Sequence, residues 1–186
     1  MNTTPEVRPE VYLGRKTLIL GDVNTGKPTL TQRILEALCG KGLAERIAVV
    51  DMAPEVPAHL AKERGIPRVG GKLSLPEGKD ILYLGSRLEP PRLSSITDRE
   101  AREKAWNNLQ IIERLFKELD LRSRDILLVN DISMYLQAGA AEALIPWLGG
   151  AGSVIANGYW GTRLGKGRLS EREKAEMIKL KSYFKK

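Results

Sequence analysis

Cysteine and histidine are almost missing from this chain of 186 residues: Cys39 and His59 each stand alone. One cysteine excludes an intrachain disulfide and gives no argument for an oxidising compartment. A lone histidine points to a structural role. No apolar run approaches the roughly 20 residues that span a bilayer. The stretch from Met1 to Glu10 is polar, carries two prolines and lacks an apolar signal core, so residues 1–10 are expected to be flexible and the protein cytoplasmic. Internal repeats and low-complexity tracts are lacking too.

What is present describes an ordinary globular chain, 42% hydrophobic and 28% charged. Its length suits one domain over residues 11–186, large enough to bury a core without disulfide or metal staples. Lys and Arg exceed Asp and Glu by 30 to 23, giving a net charge of +7. From Gly161 to Lys186 there are nine basic residues against three Glu, so the C-terminal helix is expected to be basic. Such a segment attracts an acidic or nucleic-acid partner, or is simply a solvated helix face. No aromatic residue interleaves the basic ones before Tyr183 and Phe184, which weakens the nucleic-acid alternative.

Short apolar runs alternate with helical periodicities. Strands are predicted at Lys16–Leu20, Ile47–Val50, Ile81–Leu84, Asp125–Val129 and Ser153–Ala156. Helices are predicted over Pro28–Cys39, within Met52–Arg64, from the capping box Thr97-x-x-Glu100, over Ala138–Leu148 with a bend or end near Pro146, and from a second capping box Ser170-x-x-Glu173. In that last helix Ala175, Met177 and Ile178 are the expected packing residues. The alternation predicts an α/β fold with a mainly parallel sheet covered by helices on both faces. Ligands of such sheets collect at the carboxyl ends of the strands.

One of those ends carries a recognisable pattern. Gly21-Asp22-Val23-Asn24-Thr25-Gly26-Lys27 fits G-x-x-x-x-G-K between a predicted strand and a predicted helix. Glycines let successive N–H groups turn inward toward phosphates, the helix N-terminus adds positive potential, and Lys27 supplies an ammonium for β- and γ-phosphate oxygens. Pro28 replaces the usual Ser/Thr, which removes both a hydroxyl for Mg²⁺ and an N–H. Thr29 lies about 100° further around the helix and does not replace it. Weakened Mg²⁺ binding and turnover are the expected consequence.

Other strand ends offer further candidates. Asp131, closing Asp125–Asp131, is read as the carboxylate that holds Mg²⁺, with Asn130 as alternative. Asp51 ends the second strand and is read as a metal or water ligand, or as a helix N-cap. Asn157 is read as a base contact with Tyr159 or Trp160 stacking on the base; alternatively, that aromatic pair packs the C-terminal helix. Arg87 and Arg92 follow the third strand, where one could meet transferring phosphate.

Taken in order, the loop, Asp51, Asp131 and Asn157 resemble P-loop NTPases over most of the chain. Arg46–Pro54 looks like the second strand of the SIMIBI class, which includes metallocentre-maturation GTPases and related kinases. The spacing of about a hundred residues from Lys27 to Asp131 is similar to that class, and the G-x-x-x-x-G-K core resembles that of polynucleotide 5′-hydroxyl kinases. The second lysine of the partitioning ATPases falls at Asp22, which disfavours that branch. The resemblance implies a three-layer P-loop fold binding ATP, or GTP, with Mg²⁺. Gly21–Thr29 and Asn157 are the implied nucleotide contacts, Asp131 and Asp51 the implied metal ligands, and Lys27, Asp131 and Asp51 the implied catalytic groups. The absent N-K-x-D signature leans the base toward adenine. The expected activity is that of an ATPase or small kinase. The alternatives are a nucleotide-sensing module with little hydrolysis, favoured by Pro28, and a GTPase-type maturation factor.

Overall fold

The runs Ile47–Asp51, Ile126–Asn130 and Ser153–Tyr159 are apolar at nearly every position, so neither face of these strands suits water. In the computed structural model, which describes residues 7–63, 71–165 and 167–185, they form the centre of a five-stranded sheet. The strands are β1 (Lys16–Gly21), β2 (Ile47–Asp51), β3 (Leu82–Gly85), β4 (Ile126–Asn130) and β5 (Ser153–Tyr159). All neighbours pair in parallel, in the order β1-β5-β4-β2-β3. The edge strands β1 and β3 are only partly buried, as their mixed sequences require.

Helices are α1 (Lys27–Gly40), α2 (Ala58–Glu63), α3 (Pro91–Ser94), α4 (Asp98–Lys117), α5 (Ser133–Leu136), α6 (Ala141–Gly149) and α7 (Arg168–Phe184). Strand periodicity sorts the core into two layers. Ile47, Val49, Ile126, Leu128 and Ile155 face Ile34, Leu35 and Leu38 of α1. Their neighbours Ala48, Val50, Leu127, Val129, Val154 and Ala156 face Ile112, Phe116, Leu144, Leu148, Met177 and Leu180 of α4, α6 and α7. Each fully buried aliphatic side chain contributes about 1.5–3 kcal/mol. The result is an α/β protein whose all-parallel sheet is flanked by helices.

Several local expectations are revised. Residues 7–10, read as flexible, lie against the protein: Pro9 is buried and Val7 packs on the α1-side core. Residues 1–6 of that segment and Gly65, the expected stop of α2, lie outside the described residues. The helix expected at 138–148 is α6, which starts at Ala141 and runs past Pro146 to Gly149, and a short helix not expected from the sequence, α5, precedes it. Thr97 caps α4, its Oγ1 accepting from Glu100 N at 3.2 Å, while Glu100 accepts from Ile96 N. The capping box at Ser170 does not form. Helix α7 starts two residues earlier, behind Gly167, because Ser170 and Glu173 are engaged by Arg92. Its buried face is Leu169, Glu173, Glu176, Met177 and Leu180, whereas Ala175 and Ile178 are exposed. No helix among the described residues is long and apolar enough to cross a membrane.

Candidate functional site

Five parallel strands bring five carboxyl ends to one edge of the sheet, and the loop after β1 opens there into α1. Asn24 (φ 58°) and Gly26 (φ 78°) both take left-handed backbone, which curls the loop so that successive amides share one side. Asparagine tolerates this region and glycine adopts it freely. Gly21 is needed for space: a Cβ there would sit 2.6 Å from Thr25 Oγ1. The loop closes on the Asp22 carbonyl, which accepts from Thr25 Oγ1 at 2.8 Å and from Lys27 Nζ at 2.5 Å. The Asp22 carboxylate accepts from Val23 N and Thr162 N, tying the loop to the segment after β5. By contrast, the amides of Asn24, Thr25, Gly26 and Lys27 donate to no acceptor among the described residues. Pro28 occupies the first turn of α1, and Thr29 is exposed beside it.

Asp131 faces this loop from the end of β4. Its own φ of 56° turns the chain sharply, held by Asp131 N donating to Asn157 Oδ1 at 3.0 Å and Ile132 N to the Asn157 carbonyl at 2.8 Å. Ser133 Oγ donates to Asp131 Oδ1. Part of the residue is open to the cleft, yet desolvation raises the carboxyl above its usual pKa, opposed by Ser133, Arg92 and Lys27. Burial also lowers the Lys27 ammonium, against the pull of Asp131 and Asp22. The two groups sense each other across the mouth of the loop.

Asp51 and Asn157 have different surroundings from those expected. Asp51 is fully buried, and both carboxylate oxygens are saturated: Oδ1 accepts from Ala53 N and Asn130 Nδ2, Oδ2 from Leu73 N and Tyr83 Oη, all within 2.7–3.0 Å. Four donors leave no lone pair directed at a metal, and Asp51 caps no helix. Burial and the adjacent Asp51 charge push the Tyr83 phenol far above its usual pKa. Asn157 donates from Nδ2 to Thr31 Oγ1 and Asn130 Oδ1, and its Oδ1 is taken by Asp131 N. Both amide hydrogens and one lone pair of its oxygen are therefore used inside the fold, although the residue also lines the cleft. Among the described residues, no group of three His, Cys, Asp or Glu is placed to hold a metal ion.

The loop and Asp131 share a cleft of about 410 Å³, also lined by Pro91, Arg92, Leu93, Met134, Gln137 and Tyr159. The two arginines after β3 part ways. Arg87 points outward, 84% exposed, toward Glu55. Arg92, on α3, enters the cleft wall and forms a two-pronged pair with Glu173 of α7, at 3.2 and 2.7 Å, with side chains only 11% and 4% exposed. Burial pushes Glu173 up to about 7 despite that pairing. Arg92 also lies over the Tyr159 ring, while Lys174 and Lys181 both lie over the Trp160 ring. These aromatics are thus engaged by protein cations. Gln137, just past α5, was not visible as a site residue in the sequence, and Glu173 was visible only as part of a capping box. His59 is exposed on α2 and Cys39 is buried.

Fold and site together define an α/β protein whose all-parallel sheet, flanked by helices, carries the loop Gly21–Lys27 and Asp131 at the carboxyl ends of its strands. Beyond that class, no family model matches the chain and no curated protein matches its sequence.

Proposed function

We propose that this protein binds a nucleoside triphosphate, its polyphosphate lying along Gly21–Lys27, and catalyses slow phosphoryl transfer as an ATPase or small kinase. The observation that carries the reading is the run of four amides, Asn24 to Lys27, that meet no acceptor among the described residues at the start of a 14-residue helix, beside the Lys27 ammonium. An anion there gains hydrogen bonds from Asn24, Thr25, Gly26 and Lys27 and the favourable end of the helix dipole. The Lys27 ammonium, now resting on Asp22 O, moves a short way to meet the phosphates. Arg92 adds a second cation on the opposite wall, already oriented by Glu173 and Tyr159.

The fit to Mg²⁺ rests on few donors. Asp131 presents one carboxylate, Asp51 presents none, and Pro28 has no hydroxyl. One carboxylate with phosphate oxygens and waters is a set that Mg²⁺ accepts, so Asp131 is the residue that would hold a phosphate-borne ion. When bound, the ion neutralises charge on the β- and γ-phosphate oxygens. The chain's own part is to fix the phosphates by the loop and to hold a carboxylate at Asp131.

Pro28 favours a second reading, a nucleotide-sensing module with little turnover. Thermal-shift titration with ATP, ADP, GTP and GDP, with and without Mg²⁺, tests both. A rise in melting temperature with a triphosphate supports binding, and release of γ-phosphate separates enzyme from sensor. No shift with any of the four rejects the proposal.

A further inference from the structure

Helix α4 buries Ala101, Ala105, Leu109 and Ile112 and turns Arg99, Arg102, Glu103 and Trp106 outward, on one face set by three- and four-residue spacing. Trp106 is 55% exposed, although tryptophan is mostly buried in folded proteins. The rings of Tyr159 and Trp160 carry protein cations, whereas the Trp106 ring has no aromatic or cationic partner among the described residues. Arg172 of α7 comes to the same place. Its Nη2 donates to the Ala138 carbonyl at 2.8 Å, and it lines with Trp106 an open groove of about 660 Å³. Three guanidiniums, of Arg99, Arg102 and Arg172, thus share the groove with the single carboxylate of Glu103. Glu103 pairs with Arg99 at 2.9 Å, both side chains largely in water, so the pair is weak and open to exchange. Arg102 has no hydrogen bond or ion pair among the described residues.

We propose that this groove binds single-stranded nucleic acid, a base stacking on Trp106 while neighbouring phosphates meet Arg99, Arg102 and Arg172. Each step of such a chain offers a planar base and a phosphate together, which are the two complements that an uncovered indole and excess guanidinium call for. Guanidinium forks match phosphate oxygens two at a time. A duplex keeps its base faces inside the stack and leaves the indole unmatched. An acidic peptide answers the guanidiniums with carboxylates but brings no regular planar partner. The net charge of +7 adds attraction of the same sign at longer range. The basic C-terminal stretch has no aromatic of its own among its basic residues before Tyr183, and the fold supplies one from α4. No residue of Gly21–Thr29 lines the groove, so the proposal does not rest on nucleotide binding there.

The test uses the full chain and a fluorescein-labelled oligothymidylate of about 12 nucleotides, within the usual site size of such surfaces. Fluorescence anisotropy compares it with a duplex of equal length and with labelled oligoglutamate, and NMR follows the indole N–H signals of the three tryptophans. The single strand is expected to bind and to shift Trp106, leaving Trp147 and Trp160 in place. Trp106→Ala is expected to weaken the single strand about tenfold and to leave any duplex binding unchanged. Arg102→Ala is expected to lower affinity and to flatten the salt dependence by about 0.7 in the slope of log K against log salt, the share of one phosphate. Should Trp106→Ala fail to fold, the wild-type indole signals decide. An unmoved Trp106 signal, no binding of the single strand, or Trp106-dependent binding of oligoglutamate in its place overturns the proposal. An equal loss from Lys185→Ala, a basic residue outside the groove, assigns the attraction to the C-terminal helix at large and overturns it too.

Discussion

Two polar regions lie side by side at the carboxyl edge of the sheet, and they differ in one property. In the row Thr31, Asn157, Asn130 and Asp51, side-chain donors meet acceptors inside the protein from α1 to β2. In the loop from Asn24 to Lys27, four backbone donors meet no acceptor among the described residues. A saturated network stabilises and specifies a fold. An unsaturated one stores binding capacity. Both regions consist of polar residues just past buried strands, so residue type does not distinguish them; the hydrogen-bond partners do.

That contrast breaks most visibly at Asp51. Asp51→Ala strands four donors and is expected to destabilise the fold by about 3 kcal/mol or more, a drop of roughly 6–12 °C in melting temperature. Nucleotide affinity of the folded fraction stays unchanged. Calorimetric melting and titration below the transition check both halves. Lys27→Ala is expected to do the opposite: ATP affinity falls about 100-fold, equivalent to about 2.7 kcal/mol, while stability moves by under about 0.5 kcal/mol. If Lys27→Ala unfolds the protein instead, the distinction between the two regions is lost.

Smaller effects sharpen the picture. Pro28→Thr restores a hydroxyl at the start of α1 and is expected to raise Mg²⁺-dependent γ-phosphate release about tenfold, or about 1.4 kcal/mol in barrier. An unchanged rate means that Pro28 is not what limits turnover. Glu173 gives a pH signature. Its folded value near 7 lies above its ordinary 4.5, so the folded state binds the extra proton. Stability from this group is present below about 4.5 and is lost as pH rises through 7. Melting temperature should fall across that window in the wild type and fall less in Glu173→Gln. Parallel pH profiles would rule out this role for Glu173.

How much of this was legible in the sequence follows from where the determinants are local. Strands β2, β4 and β5 were visible because a continuous apolar run signals burial on both faces, and α1 because Leu30, Ile34, Leu35 and Leu38 keep one stripe. The loop motif was visible because its glycines and lysine are contiguous. The internal partners of Asp51 and Asn157 were not legible because Leu73 and Tyr83 for one, and Thr31 and Asn130 for the other, are distant in sequence. The Ser170–Glu173 box failed for the same reason: Arg92, 78 and 81 positions away, claims both side chains.

The central claim concerns four amides, and amide NMR reads them directly. On adding Mg-ATP at pH 8, the signals of Asn24, Thr25, Gly26 and Lys27 should show the largest shifts in the protein, while those of Ala53 and Leu73, bound to Asp51, stay in place. Saturating nucleotide that leaves the four loop signals unmoved would contradict the account.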